Sequence, residues 1–162
     1  MACVTDSNIW IDLAAGELLD EAFRLPFRWV APDAVVAELL TPDGQELKGR
    51  GLVELGLSGT GVLEVLRLRG KYPSPSITDL FALALAKTEA CLLLTGNRHL
   101  RLAAEGEGNE VHGTLWLLDE MVARRVVNTE QAAQALDRMV AQGRRLPAAE
   151  VQLRLVRWRR GK

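Results

Sequence analysis

Short apolar runs, each closed by a polar turn and followed by a helix-forming stretch, recur along the whole chain. This alternation constrains the fold more than any other feature. "ACVT" (2–5), "RWVAP" (28–32), "GLVELGLS" (51–58), "CLLLT" (91–95) and "EVH" (110–112) read as strands. Between them lie segments of helical spacing. "NIWIDLAAGELLDEAFRL" carries Ile9, Leu13, Leu18, Leu19, Ala22 and Phe23, and Gly16 divides it into two helices. Pro32 suits the first turn of a helix through "DAVVAELL". "TGVLEVLRLRGKY", "RHLRLAAE" and "GTLWLLDEMVARR" read as further helices, and "TPDGQELKG" as a turn leading into another. "TEQAAQALDRMVAQG" is expected to start at Thr129 as its cap and to end at Gly143, and "PAAEVQLRLVRWRR" closes the chain. Strand–helix alternation of this kind predicts an α/β fold, with a mainly parallel central sheet of about four to five strands and helices on both faces.

The sharpest local boundary is "PSPSITDLFALALAKTEA". Two prolines precede Ser76, which is a good N-cap, and Asp79 follows three residues later in the position of a capping box. The glycines of "GLSGTG" have the wrong spacing for a dinucleotide fingerprint, and no Lys-Ser or Lys-Thr follows them. They read as turn glycines.

Composition excludes several classes. With 48% hydrophobic and 25% charged residues, the chain reads as a soluble globular protein rather than a disordered one. No apolar run approaches the ~20 residues of a membrane span. "MACVTDSNIW" has no basic region followed by a long apolar core, so no leader is expected. Cys3 and Cys91 each sit in or beside an apolar run, which suits buried thiols in a reducing cytoplasm. His99 and His112 are too few for a His-rich zinc site. The net charge of −1 hides an asymmetry: Arg144, Arg145, Arg154, Arg157, Arg159, Arg160 and Lys162 crowd the C-terminal end against Glu150 alone. Such a tail suits a phosphate-bearing partner, an acidic protein surface or a solvated helix face. Trp158 inside it suits either stacking on a base or pinning the tail to the body.

In an open α/β sheet, ligands bind at the carboxyl ends of the strands. Asp6 ends the first run there, and Asn97 follows "CLLLT". Glu38 and Asp79 lie in helical segments, each embedded in apolar sequence. Singly, each has a structural explanation as a cap or a surface acid. Together, converging carboxylates repel one another unless a proton or a cation intervenes, and hard divalent ions are bound by such oxygen clusters. Asp12, further along the first helix, is expected to face solvent.

The order "VTDSNIWIDL", "APDAVVAELL", "SITDLFALALAKTEACLLLTGNRHL", "VHGTLWLLDEMV" resembles a PIN domain, and more narrowly the VapC-type toxin-like members of prokaryotes. Asp6, Ser7 and Asn8 match the family's opening Asp-Ser/Thr-Asn/Ser. Glu38 matches its second acid and Asp79 its Ser/Thr-x-x-Asp helix start. The family's Thr-x-Asp reads Thr95-Gly96-Asn97 here, so the fourth acid is neutral.

The resemblance implies a PIN-like domain over residues 2–142, followed by a basic helical tail over 143–162. It implies a ribonuclease in which Asp6, Glu38 and Asp79 are catalytic and hold Mg2+ or Mn2+. Asn97 is a fourth, weaker ligand, its side-chain oxygen able to ligate an ion or orient a water. Ser7, Asn8, Thr95 and Arg98 are expected to position substrate or ligands. RNA, an antitoxin protein and a second copy of the chain in a homodimer are the implied partners. A weakened PIN domain that binds RNA or protein without cutting is the alternative. A phosphoryl-accepting receiver-like domain ranks below both, because no lysine stands near the "EVH" strand.

Overall fold

The computed structural model describes residues 1–160. Five parallel strands form one sheet: β1 (Ala2–Thr5), β2 (Arg28–Pro32), β3 (Val53–Leu55), β4 (Leu92–Leu94) and β5 (Val111–His112), in the spatial order β3-β2-β1-β4-β5. Val4 lies opposite Val30 on one side and Leu93 on the other. Cys3, Val4 and Thr5 are all buried, as are Leu92, Leu93 and Leu94. Successive strand residues point to opposite faces, so an unbroken buried run means helices cover the sheet on both. The sheet predicted from the alternation is present.

The helices are α1 (Ser7–Ala15), α2 (Leu19–Arg24), α3 (Asp33–Glu38), α4 (Gly44–Arg50), α5 (Gly59–Lys71), α6 (Ile77–Thr88), α7 (Arg98–Gly106), α8 (Thr114–Ala123), α9 (Thr129–Ala141) and α10 (Ala148–Arg160). Central among them is α6, which packs against β1, β2 and β4 and buries Leu80, Leu83 and Leu85 with the alanines between. Ser76 caps it as expected, with Asp79 completing the box. Gly16 ends α1, where a Cβ would come within 2.6 Å of Met139 Cε, so glycine permits the close approach of α9.

Two expectations change, and one open alternative is settled. Pro32 is the residue before α3 rather than a member of its first turn. The cap of α9 is Asn128, not Thr129: Asn128 Oδ1 accepts from Gln131 N and Gln131 Oε1 accepts from Asn128 N, both at 2.8 Å. That reciprocal pair satisfies two otherwise open donors, which Thr129 as cap would not. Of the two roles open to Trp158, the structure bears out the one that pins the tail to the body. Trp158 is 3% exposed, and with Val151 and Leu155 it forms the inner stripe by which α10 packs on α9. The basic residues of α10 are largely paired: Arg154 and Arg157 with Asp119 of α8, and Arg159 with Asp137 of α9. Among the described residues no helix is long and apolar enough to cross a membrane.

Candidate active site

The chain leaves β1 for β2 on one side, while β4 pairs on the other, so the strand order reverses between β1 and β4. Helices on opposite sides diverge there, opening a crevice at the carboxyl ends. Asp6 follows β1, and Gly96 and Asn97 follow β4; Asp6 N donates to Leu94 O at 3.1 Å, which locks the two turns together.

Asp6 is 1% exposed. Its Oδ1 accepts from Ile9 N at 3.1 Å and so caps α1. Its Oδ2 accepts from Thr95 Oγ1 and, at 3.3 Å, from Gly96 N. Thr95 Oγ1 itself accepts from Asn97 N at 2.9 Å, which turns its single proton toward Asp6. No basic side chain pairs with Asp6 among the described residues. Burial pushes its carboxyl up to about 7, against the pull of these hydrogen bonds, and the neighbouring Asp79 charge adds to the rise.

Glu38 ends α3 and is exposed; its Oε1 accepts from Ser7 Oγ at 2.5 Å. Ser7 thereby ties Glu38 to the turn that carries Asp6. Asp79 sits in the first turn of α6, 9% exposed, and its Oδ2 accepts from Ser76 N at 3.1 Å. Asn97 caps α7, its Oδ1 accepting from Leu100 N at 3.1 Å. Asp6 and Asn97 are thus helix N-caps and Asp79 completes a capping box, with Asp6 and Asp79 near enough for their charges to interact. Among the described residues no three His, Cys, Asp or Glu side chains are gathered closely enough to hold a metal ion. The donor chemistry nevertheless suits one: carboxylate oxygens only, one of them buried beside a second acid with no cation of its own.

Asp12 is the clearest departure from the sequence reading. It does not face solvent but is 2% exposed. Thr114 Oγ1 donates to its Oδ2 at 2.7 Å, and Arg144 Nε to its Oδ1 at 2.6 Å. Arg144 Nη2 also donates to Asn8 Oδ1 at 3.3 Å. Helical periodicity shows only that Asp12 shares a helix with Asp6, and the cation arrives from a distant part of the chain.

Beside the carboxylates lies a cleft of about 940 Å³. Asn8, Thr95 and Asn97 line it, together with Arg98, Arg101, His112, Trp116, Arg144 and Arg145. Asn8, Thr95 and Arg98, which the sequence marks as substrate or ligand residues, do lie in this region. Arg101 and Trp116 escape a motif-based reading, although Arg98 and Arg101 are three apart on α7 and so share a face.

The model of one protein family, the PIN domain, matches residues 2–160. The chain belongs to the PIN-domain family. Solved structures agree with that fold. A PilT N-terminus domain protein of the hyperthermophilic archaeon Sulfolobus solfataricus superposes with a TM-score of 0.53 at 13% identity, covering 75% of this chain and 94% of its own. The protein PAE2754 of Pyrobaculum aerophilum superposes with a TM-score of 0.54 at 15% identity, covering 76% of this chain and 99% of its own. No curated protein matches the chain. PIN domains are generally nucleases and generally use divalent metals, which gives this PIN domain a hydrolase class and a nucleic-acid substrate.

Proposed function

We propose that this PIN domain is an endoribonuclease that hydrolyses RNA phosphodiester bonds at Asp6, Glu38 and Asp79. Mg2+ or Mn2+ would be held by these three carboxylates, with Asn97 as a neutral neighbour. The observation that carries the reading is a contrast between two buried aspartates. Asp12 is neutralised by Arg144, whereas Asp6, equally buried, has no cation and lies near a second acid. A buried carboxylate without a counter-charge is costly, and a bound ion removes that cost. When bound, the ion would supply Lewis-acid stabilisation of a phosphoryl oxygen and an activated water.

The chain's own residues do the positioning. Thr95 and Gly96 fix the direction of the Asp6 carboxylate. Ser7 holds Glu38 toward it, and the α6 capping box holds Asp79. Asn8 and Arg98 line the adjoining cleft and would meet the substrate. In the cell the activity would be cytoplasmic, that of a toxin restrained by an antitoxin or of a related nuclease, acting as a homodimer.

A second reading, a PIN domain that binds RNA or protein without cutting, is favoured by Asn97. Its side-chain oxygen is engaged in capping α7 and brings no charge. Titration calorimetry with Mn2+ on the natural protein and on Asp79→Asn, with RNA cleavage assayed on the same samples and on Asp6→Asn, separates the two. Binding and cleavage that vanish in the variants support the nuclease. No binding at millimolar Mn2+, or an Asp6→Asn protein that cuts as fast as the natural one, overturns it.

A further inference from the structure

In sequence, Arg144 is one cation of a basic tail. In the fold it holds more than Asp12. Its guanidinium is forked: Nε donates to Asp12 Oδ1 at 2.6 Å, and Nη2 donates to Asn8 Oδ1 at 3.3 Å, across 136 positions of chain. Asp12 is gripped from its other side by Thr114 Oγ1, which donates to Oδ2 at 2.7 Å. The guanidinium is thus anchored on a buried carboxylate that is itself held in place, and its second arm is free to act on Asn8.

A side-chain amide has one accepting end and one donating end, and rotation about its last bond exchanges them. A guanidinium only donates, so Arg144 selects the carbonyl end of Asn8 and turns the NH2 end away from itself. Among the described residues no acceptor takes that NH2 group. Asn8 lines the cleft. The root of its side chain is fixed as well: a Cβ on Gly96 would lie 3.1 Å from Asn8 Cβ, so the turn after β4 closes directly on it. The same turn meets Asp6, with Gly96 N donating to Oδ2 at 3.3 Å. The Asn8 amide, with two N–H donors to spare, therefore stands beside the turn that grips Asp6.

We propose that Arg144 is a positioning residue: it sets the amide of Asn8 with the NH2 group toward the cleft, where it donates to a phosphoryl oxygen as charge develops there. The identity of that acceptor rests on the reading of the protein as a ribonuclease, and the orientation of the amide does not. A donor held in place beforehand lowers the barrier because nothing has to reorganise as the charge forms. Lysine at this position could still neutralise Asp12, but its single ammonium lacks the planar fork that serves both partners. Arginine is required for the contact with Asn8 and not for the charge beside Asp12.

The test crosses Arg144→Lys, which keeps that charge, with Asn8→Ala. In the metal-free protein, 15N relaxation of the Asn8 side-chain amide is expected to show an ordered NH2 group that loosens in Arg144→Lys, while the backbone of α1 stays as it was. With Mn2+ and a short RNA, Asn8→Ala is expected to lower kcat about a hundredfold. Arg144→Lys is expected to lower it about tenfold, with KM changed less than about twofold. In the Asn8→Ala background Arg144→Lys is expected to do nothing further to kcat, because it acts through that amide. A role in stability alone would lower activity alike in both backgrounds. An Asn8 amide as ordered in Arg144→Lys as in the natural protein overturns the proposal, and so does an equal loss of kcat with and without Asn8. Should Arg144→Lys fail to fold, the natural protein decides: an ordered amide whose protons exchange freely with water supports the orientation, and a mobile one overturns it. RNA that stays intact with the natural protein, while the amide loosens in Arg144→Lys, sustains the orientation and overturns the nuclease reading instead.

Discussion

Arg144 Nε lies 2.6 Å from Asp12 Oδ1, joining two residues 132 positions apart. The pair fastens the segment between α9 and α10 to α1, and both residues line the cleft. It also explains why two aspartates six residues apart behave differently: one has its cation built in, and the other does not.

Arg144→Ala leaves Asp12 buried and unpaired. A destabilisation of about 3 kcal/mol is expected in urea unfolding, because a lone charge remains where water cannot reach it. Asp12→Asn keeps an acceptor for Thr114 and removes the charge, so it is expected to cost less. An Arg144→Ala protein as stable as the natural one would show that the pair adds nothing to the fold.

Asn97→Asp restores the family's fourth acid and keeps the helix cap, since Asp caps as well as Asn. Stability is expected to change by less than about 0.5 kcal/mol. Mn2+ affinity by calorimetry is expected to rise roughly tenfold, because affinity follows the number of charged ligands. Unchanged affinity would place residue 97 outside the ion's reach.

Glu107 anchors a network remote from the cleft. Lys87 and Lys71 lie at 2.7 and 3.0 Å, Tyr72 donates at 2.7 Å, and Arg67 completes it, so that α5 and α6 are tied to the end of α7. Lys87 above all holds the Glu107 carboxyl well below the usual range. A carboxyl lowered in the folded state contributes stability that is fully present above its ordinary value near 4.5 and is lost as pH falls toward the depressed value. Thermal unfolding of the natural protein is therefore expected to lose midpoint temperature below about pH 5, and Glu107→Gln to flatten that fall. Parallel profiles for the two proteins would remove Glu107 from the account of acid sensitivity.

Trp158→Ala opens a cavity between α10 and α9. A cost of about 3–5 kcal/mol is expected, with RNA affinity little changed so long as the protein remains folded. A variant of natural stability that no longer binds RNA would return Trp158 to a role in stacking on a base.

The sequence by itself determined the strand–helix order, the parallel sheet, the Ser76–Asp79 capping box and the positions of Asp6 and Asn97 after their strands. These are local properties: buried runs, periodicity and caps are written in residues a few positions apart, and strands of one parallel sheet end on the same side. Tertiary structure decided which acids keep an uncompensated charge. Asp6 and Asp12 belong to α1 and its cap, and nothing near either one in sequence says that Arg144 reaches one and leaves the other. It likewise decided that Trp158 is core and that the open positive charge belongs to Arg98, Arg101 and Arg145 rather than to α10. Charge along a chain counts groups. Charge available to a ligand depends on which groups the fold has already paired, and that pairing is made across distances that periodicity does not record.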